Sequence, residues 1–518
     1  MIRKIICINL IIMALVAVFL FLYPPLRAIW DMQDPGLKAP GVSQASWRLY
    51  RNLTPRYATW ARERVTHGQP QNLSINNIAG TEWPLFGSVF YLWGLENLQT
   101  AWDAGDHRAG VEPKVFAKEA ILAASDLVID PKHATWVQKH WGTNYLHEEN
   151  VFYRMLVIAA LTTREKLLGD STYTTMLRDQ VDTLAQELDA SRTGLLNDYP
   201  GQCYPGDVMT AIACIRRADT VLGTDHSRFV TRALRAFTGT RATRYVLPPY
   251  SADFYTGQPR SEARGCANSY ICLMAPELWP TQAKQWYAVY DKFFWQQRIT
   301  AVGYRELAQG NPKGQWGFDV DAGPIIAGHG VAASAFGVGA ARKNGRFDRA
   351  YPLATEMLAT TWELPNGVMA LPRLLSNFSD APLLGEAAIL WLLTVQPEKG
   401  FPVQPPAKVP TYVYVVVGSA LLIGSVMLLE SLWLLRLARR NPEPAVWAPK
   451  LQAILWAGLM LGAARAFWIG PWWAGLCLLV VALVLPIKKR VPPDEPEEWK
   501  AAAKSDKPTT TPSPEPPG

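Results

Sequence analysis

Residues 324–342, Pro-Ile-Ile-Ala-Gly-His-Gly-Val-Ala-Ala-Ser-Ala-Phe-Gly-Val-Gly-Ala-Ala-Arg, are small and apolar almost all round. A helix with no polar face belongs inside a protein. Residues 174–191 read differently. Met176, Leu177, Val181, Leu184 and Leu188 share one face there, while Arg178, Asp179, Asp182 and Glu187 lie elsewhere. Residues 281–295 repeat that one-sided pattern with Trp286, Val289, Tyr290, Phe293 and Phe294. Alternating buried and one-sided helices predict two layers, an inner barrel and an outer ring. Residues 43–65 supply a further outer helix that closes the circle. Gly328, Gly330, Gly337 and Gly339 suit close helix packing. A dinucleotide loop would need a strand before them, and none is expected.

The pattern recurs at a regular interval. A carboxylate-bearing loop precedes an apolar helix near Trp83, Glu149, Asp207, Cys266, Pro324 and Pro382, at steps of about 66, 58, 59, 58 and 58 residues. One helical hairpin with its loops fits each step. The expectation is an all-α (α/α)6 toroid in which all six leading loops meet at one mouth.

The ends of the chain are of another kind. Residues 5–23 form an uncharged run long enough to cross a bilayer, preceded by Arg3 and Lys4. Pro24-Pro25-Leu26-Arg27 does not resemble a signal-peptide cleavage site, so residues 1–23 are expected to stay as an anchor. Residues 411–487 are expected to hold three more spans, with 451–468 and 472–487 as a tight pair around Ile469-Gly470-Pro471. Arg436, Arg439 and Arg440, and then Lys488, Lys489 and Arg490, lie beside the expected cytoplasmic ends. The positive-inside rule then puts both termini of a multi-pass bacterial inner-membrane protein in the cytoplasm and residues 24–409 in the periplasm. Residues 488–518 have almost nothing to bury and are expected to be disordered.

The 518-residue chain has a net charge of +7. Much of that excess sits at the membrane edges, and the exported part has no basic stripe with interleaved aromatics, so a nucleic-acid partner is excluded. Cys7 and Cys477 are apolar fillers within spans. Cys203, Cys214, Cys266 and Cys272 face an oxidising compartment, where they either form disulfides, in three alternative pairings, or stay free thiols. Cys203 and Cys266 open neighbouring helices.

The mouth collects the chemistry. Its loops carry Glu82 and Trp83; Trp141, His147, Glu149 and Asn150; Asp198, Tyr199, Cys203 and Asp207; Arg264; Trp316, Asp319 and Asp321; and Glu386. A general acid and a general base need carboxyl groups in different environments, so that one holds its proton near neutral pH. Asp319 and Asp321 are the leading pair, with Glu149 and Asp198 opposite. Asp207 and Asp321 have a second reading, as caps of free helix N–H groups. No HExxH or CxxC occurs, and adjacent His147, Glu148 and Glu149 cannot all reach one ion, so no metal is expected.

Glu149-Asn150-Val151-Phe152-Tyr153-Arg154, Gly194-Leu195-Leu196, Gln202-Cys203 and Leu222-Gly223-Thr224-Asp225 resemble linalool dehydratase/isomerase, and the similarity covers most of residues 80–360. The resemblance implies a periplasmic (α/α)6 toroid. It also implies interconversion of linalool and geraniol and dehydration of linalool to myrcene, without metal or organic cofactor. In that family cysteines, a histidine, an aspartate and a tyrosine act in an apolar pocket. Cys203 matches the second of two paired cysteines. The first falls near Asn197 or Asp198, and the histidine's place is taken by Leu156.

Two enzyme classes and one other role follow. The first is a lyase or isomerase acting on a hydroxylated, prenyl-type small molecule, with Asp198 and Cys203 as acids and Phe152 and Tyr153 beside the substrate. The second is a hydrolase or lyase of an envelope glycan, with Trp83, Trp141, Tyr199, Trp316 and Trp362 stacking on sugar rings. The third is a non-catalytic assembly protein that docks a membrane partner or a second copy of itself.

Overall fold

The structure is a computed structural model that describes residues 2–68, 74, 77–298, 301–311, 314–440, 458–463, 465 and 478–479. It has two compact units, Met1–Val18 with Ile423–Gly518, and Phe19–Leu422. The described residues are mostly helical, with a few short strands.

Two helices are long and apolar enough to cross a membrane, Cys7–Met32 and Thr411–Ala438. The first comprises α1 (Ile2–Val16), a stretch of π pitch at Ala17–Leu22, and α2 (Tyr23–Met32). Pro24 and Pro25 therefore do not end it. They stand in the first turn of α2, where a missing N–H costs little. The expected spans 451–468 and 472–487 lie outside the described residues, apart from residues 458–463, 465 and 478–479. The tail 488–518 lies wholly outside them.

The unit Phe19–Leu422 continues with α3 (Gln44–His67), α4 (Trp83–Asp103), α5 (Lys118–Ile129), α6 (Val151–Leu168), α7 (Thr174–Ala190), α8 (Pro205–Leu222) and α9 (Ser227–Ala233). Then come α10 (Gly265–Leu278), α11 (Pro280–Phe294), β1 (Trp295–Gln297), β2 (Val302–Tyr304), β3 (Trp316–Asp319), β4 (Gly323–Ile326) and β5 (His329–Gly330). It ends with α12 (Val331–Lys343), α13 (Phe347–Thr361), α14 (Ala370–Phe378), α15 (Leu384–Thr394) and the start of α16 (Thr411–Arg440).

Six of these helices are buried along most of their length: α4, α6, α8, α10, α12 and α15. Each packs on the next, and α15 returns to pack on α4. The one-sided helices lie outside them. Among these, α3 packs on α5 and α15, α11 on α10, and α13 on α12. Small residues permit the close approach. A Cβ on Gly94 would stand 3.1 Å from Leu390, and one on Gly339 would stand 2.7 Å from Leu392.

The helix starts differ from the sequence reading in detail, each for a local reason. Helix α6 begins at Val151 because Asn150 has φ of 16°. Pro205 occupies the first turn of α8, and Leu383 in the left-handed region delays α15 to Leu384. The largest correction concerns residues 324–330, which are not helix. Pro324 to Ile326 pair antiparallel with Trp316 to Phe318, and Gly328 turns the chain at φ of 89°. An all-apolar run does not distinguish a short strand from a buried helix, and Pro-Ile-Ile opposite Trp-Gly-Phe resolves as a hairpin.

Gly265 opens α10 with its Cα against Arg305, whose carbonyl oxygen would lie 1.9 Å from an added Cβ. Backbone cannot yield as a flexible side chain can. Gly265→Ala should therefore destabilise the unit by about 2–4 kcal/mol in denaturant titration, whereas Gly105→Ala, with open space around it but φ of 98°, should cost only about 1–2 kcal/mol, from its positive φ alone.

Candidate acid cluster at the leading ends of the buried helices

The loops that enter the six buried helices are tied to one another by hydrogen bonds. Tyr199, before α8, donates its hydroxyl to Glu82, at the start of α4. Asn197 donates Nδ2 to Glu149 Oε2 at 2.5 Å, joining the loops before α8 and α6. Arg264, before α10, donates to Glu306 at 2.6 Å and pairs with Asp319 at 2.9 Å, both before α12. Asn77 Nδ2 reaches Asp380 at 3.3 Å and so links the first loop to the sixth. The trailing ends carry a different set of contacts, such as Asn97 to Thr394 and Arg217 to Glu277. The buried helices therefore run in one direction, and their leading ends form one mouth.

Below the mouth lies an aromatic floor. Phe86 meets Phe90, Phe152 and Tyr270 with ring centroids 4.1, 5.6 and 5.9 Å apart. Phe336 meets Phe90 and Tyr270 at 5.8 and 5.2 Å, and Trp391 closes the group at 4.9 Å from Phe90. Five of the six buried helices contribute to this floor. Phe86, Phe152 and Phe336 are half-buried, whereas Met209 is fully buried.

Glu82, Asp198 and Asp207 stand at the mouth above that floor. Burial is the largest influence on each, and the other charges acting on them come from acids, including Asp321. Glu82 is pushed up to about 8 and Asp207 to about 7. Asp198 is held well above the ordinary carboxylate range by burial and by Asp207. Its Oδ2 accepts the N–H of Tyr204 at 3.1 Å, and its buried Oδ1 has no partner at full hydrogen-bond geometry, although the Phe152 N–H also acts on this carboxyl group. Asp207 sits in the first turn of α8, where the helix N-terminus favours a charge. Burial opposes that, and the side chain is only partly open. Glu82 and Asp198 therefore hold their protons near pH 7, while Asp207 is about half-ionised there.

Asp319 behaves in the opposite way. Burial would raise it, but Arg264 and the N–H groups of Ala322 and Asp321 outweigh burial and hold it below the ordinary value. Asp319 caps this turn at 2.9 and 3.1 Å, the role that the sequence reading gave to Asp321. Asp321 instead accepts the hydroxyl of Tyr250. The ring of Tyr250 lies 4.3 Å from Arg264 and 5.3 Å from the ring of Tyr204. Asp319 and Asp321 are therefore an arginine-held anion and a tyrosine-bonded carboxylate, and only Asp321 acts on the acid cluster.

Cys203 is buried, and burial together with Asp198 and Asp207 keeps its thiol protonated. Cys266 donates Sγ–H to Glu306 at 3.2 Å. Cys203, Cys214, Cys266 and Cys272 are all free thiols. Glu306 was absent from the sequence reading. Its signal was faint, a single acid in Tyr304-Arg305-Glu306-Leu307 with no periodic helix around it. Burial raises it, against Arg264 and Cys266.

Several expected site residues serve the framework instead. His147 lies half-exposed, 3.8 Å from Asp179 of α7. Asn150 donates to Tyr145 and Tyr153 to Val128. Glu386 is buried against Arg373 at 2.7 Å. Trp141 donates its indole N–H to the Asp198 carbonyl at 3.2 Å, and Trp362 donates its own to Leu20 at 2.8 Å. Trp83 is half-buried at the start of α4, and Trp316 is exposed. The motifs that carry the family resemblance are largely structural as well. Arg154 braces Glu187, Gln180 and Thr183, and Gly223 ends α8 in the left-handed region.

Two cavities of about 260 and 170 Å³ lie at the trailing ends, with Arg217 in the wall of both. Their charges are matched, with Lys166 on Glu96 at 2.8 Å and Arg217 on Glu277 at 2.9 Å. The unmatched acids are at the mouth, and the candidate site is placed there for that reason. Among the described residues, no group of three His, Cys, Asp or Glu side chains has the spacing to hold a metal ion. No protein-family model matches the chain, and no curated protein matches it.

The raised values of Glu82 and Asp207 have a consequence for stability. A carboxyl group with a raised folded value binds more protons folded than unfolded, so stability is full below about pH 4 and falls as pH rises towards 8. Glu82→Gln should flatten this decline, raising the thermal midpoint at pH 8.5 by about 2–4 °C per kcal/mol recovered and leaving it nearly unchanged at pH 4. A variant equally destabilised at both pH values would contradict the assignment.

Proposed function

We propose that residues 24–409 form an (α/α)6 toroid held outside the cytoplasm by membrane helices, with both termini inside. We propose further that its mouth carries out cofactor-independent acid/base chemistry on a hydroxylated substrate of prenyl type, as a lyase or isomerase resembling linalool dehydratase/isomerase. The circuit of six packed helices supports the toroid, and Arg3, Lys4, Arg436, Arg439 and Arg440 support the orientation. One observation carries the chemistry: neutral, buried Asp198, whose Oδ1 has no partner at full hydrogen-bond geometry, stands with Glu82 and Asp207 above a floor of aromatic rings.

Protonation of a hydroxyl needs an acid that keeps its proton at neutral pH. Asp198 or Glu82 donates that proton to the substrate oxygen. The C–O bond breaks, water leaves with the bonding pair, and an allylic cation remains. The faces of Phe86, Phe152 and Phe336 stabilise positive charge near them. Asp207, whose carboxyl group is pushed up to about 7, takes in its ionised form a proton from the adjacent carbon to leave a diene. Return of water to the other end of the allylic system, with its extra proton passing back to the carboxylate left by the donor acid, gives the isomeric alcohol instead.

The glycan reading has weaker support. Trp141 and Trp362 are tied to the framework through their indole N–H groups, and apart from the Tyr270 hydroxyl the floor consists of apolar rings.

The test is to incubate the full chain, in nanodiscs, with linalool and geraniol and to analyse products by gas chromatography. Expected are interconversion and myrcene, with activity declining above about pH 8 as the acids lose their protons. Asp198→Asn should lower kcat by about 100-fold or more without lowering the thermal midpoint. Turnover of envelope glycans alone would replace this reading with the second, and turnover of neither would overturn both.

A further inference from the structure

The mouth has an apolar outer rim. In the hairpin of β3 and β4, Trp316 pairs with Ile326 and Phe318 with Pro324. Cross-strand partners share a face, so these four residues form one surface. Trp316 and Phe318 are 73% and 74% exposed, and Ile326 is 52% exposed. Asp319, one residue on, points the other way to Arg264. The next loop adds helix α14, in which Leu371, Leu375 and Phe378 recur at helical spacing and are all exposed, Phe378 at 81%. Its opposite side is anchored, through Arg373 on Glu386 and Ser376 Oγ accepting the N–H of Gly385. Two successive entry loops thus hold large apolar side chains outward on rigid supports. A soluble surface would not keep them bare.

The same end of the unit is where its share of the first span leaves. Residues 19–32 run along α13. Met32 accepts the hydroxyl of Tyr351, near the start of α13, and Leu20 accepts the indole N–H of Trp362, just beyond its end. Trp362 in turn accepts the N–H of Ala370, the first residue of α14. The apolar helix of the rim therefore begins within two hydrogen bonds of a residue inside the span. A tryptophan bonded there also suits the interfacial zone of a bilayer.

We infer that this rim, made of Trp316, Phe318, Ile326, Leu371, Leu375 and Phe378, inserts into the bilayer interface, so that the acid-lined mouth opens onto lipid. The occupant of the apolar surface is the bilayer in which the chain's own helices reside. The inference rests on the span and the rim geometry and is independent of the reaction. Together with the proposed chemistry, it makes the substrate an amphiphile dissolved in the membrane, presented hydroxyl end first to the acids.

The test uses the full chain in liposomes, with Cys7→Ala and Cys477→Ala removing two further thiols. Bimane is placed at Phe318→Cys, at Phe378→Cys or, as the control at the trailing end, at Ala104→Cys. Shallow doxyl-labelled lipid should quench the two rim positions at least about twofold more than the control, as expected for insertion of 5–10 Å or so. Aqueous iodide should show the reverse order. Iodide quenching of the rim without lipid quenching would overturn the inference. Protection of the rim from both quenchers would also overturn it and assign the surface to a protein partner or a second copy. Neither readout depends on turnover, so failure here and failure of the proposed chemistry are separable.

Discussion

Closure of the helix circuit is the constraint from which the other features follow. Six helices that pack each on the next, with the last on the first, have no free edge, and their shared interior must be filled from all sides at once. In this protein aromatic side chains fill it, with Phe86, Phe90, Phe152, Tyr270, Phe336 and Trp391 in mutual contact. Glycines such as Gly94 and Gly339 let the helices come close enough for those rings to meet. Because the circuit brings together loops distant in sequence, acids that no local motif connects come to share one small volume.

That volume explains the electrostatics. A single carboxylate at a helix start is stabilised by the N–H groups there. Several carboxyl groups crowded above an apolar floor cannot all ionise, since burial and mutual repulsion act in the same direction. Arg264 does not relieve the crowding. Glu306 and Asp319 hold it, and Tyr250 lies against it. The cation is spent on one side of the mouth, and on the other Glu82 and Asp198 keep their protons while Asp207 sits at the edge of ionisation. Two environments for chemically alike groups, brought to one mouth from distant loops, are what acid/base chemistry requires.

Much of the helical layout was legible because it is periodic. The one-sided stripe of α7 falls where its pattern indicates, whereas the all-apolar run 324–342 is helix only from Val331, and the six buried helices start at uneven steps of 68, 54, 60, 66 and 53 residues. What was not legible depends on conformation at single residues or on contacts across the circuit. Pro324 to Ile326 are apolar in either a strand or a helix, and only the pairing partner at Trp316 to Phe318 decides. Asp319 and Asp321 are indistinguishable by spacing, yet one turns to Arg264 and the other to Tyr250. Glu306 was invisible because its significance comes from Arg264 and Cys266, some 40 residues earlier.

The motifs behind the family resemblance teach a related lesson. Arg154 and Tyr153 make contacts to outer elements, and Gly223 supplies a left-handed helix end. Asp198 and Cys203 lie together at the mouth, and Cys203 keeps a neutral thiol there. A buried carboxylic acid and a buried thiol are interchangeable in one respect, since each is a neutral proton donor in a dry site. They differ in strength, and the weaker Cys203 thiol gains acidity only if a neighbouring acid stays uncharged. Proton retention by Asp198 therefore does more than prepare one donor. It removes the negative charge that most hinders the other.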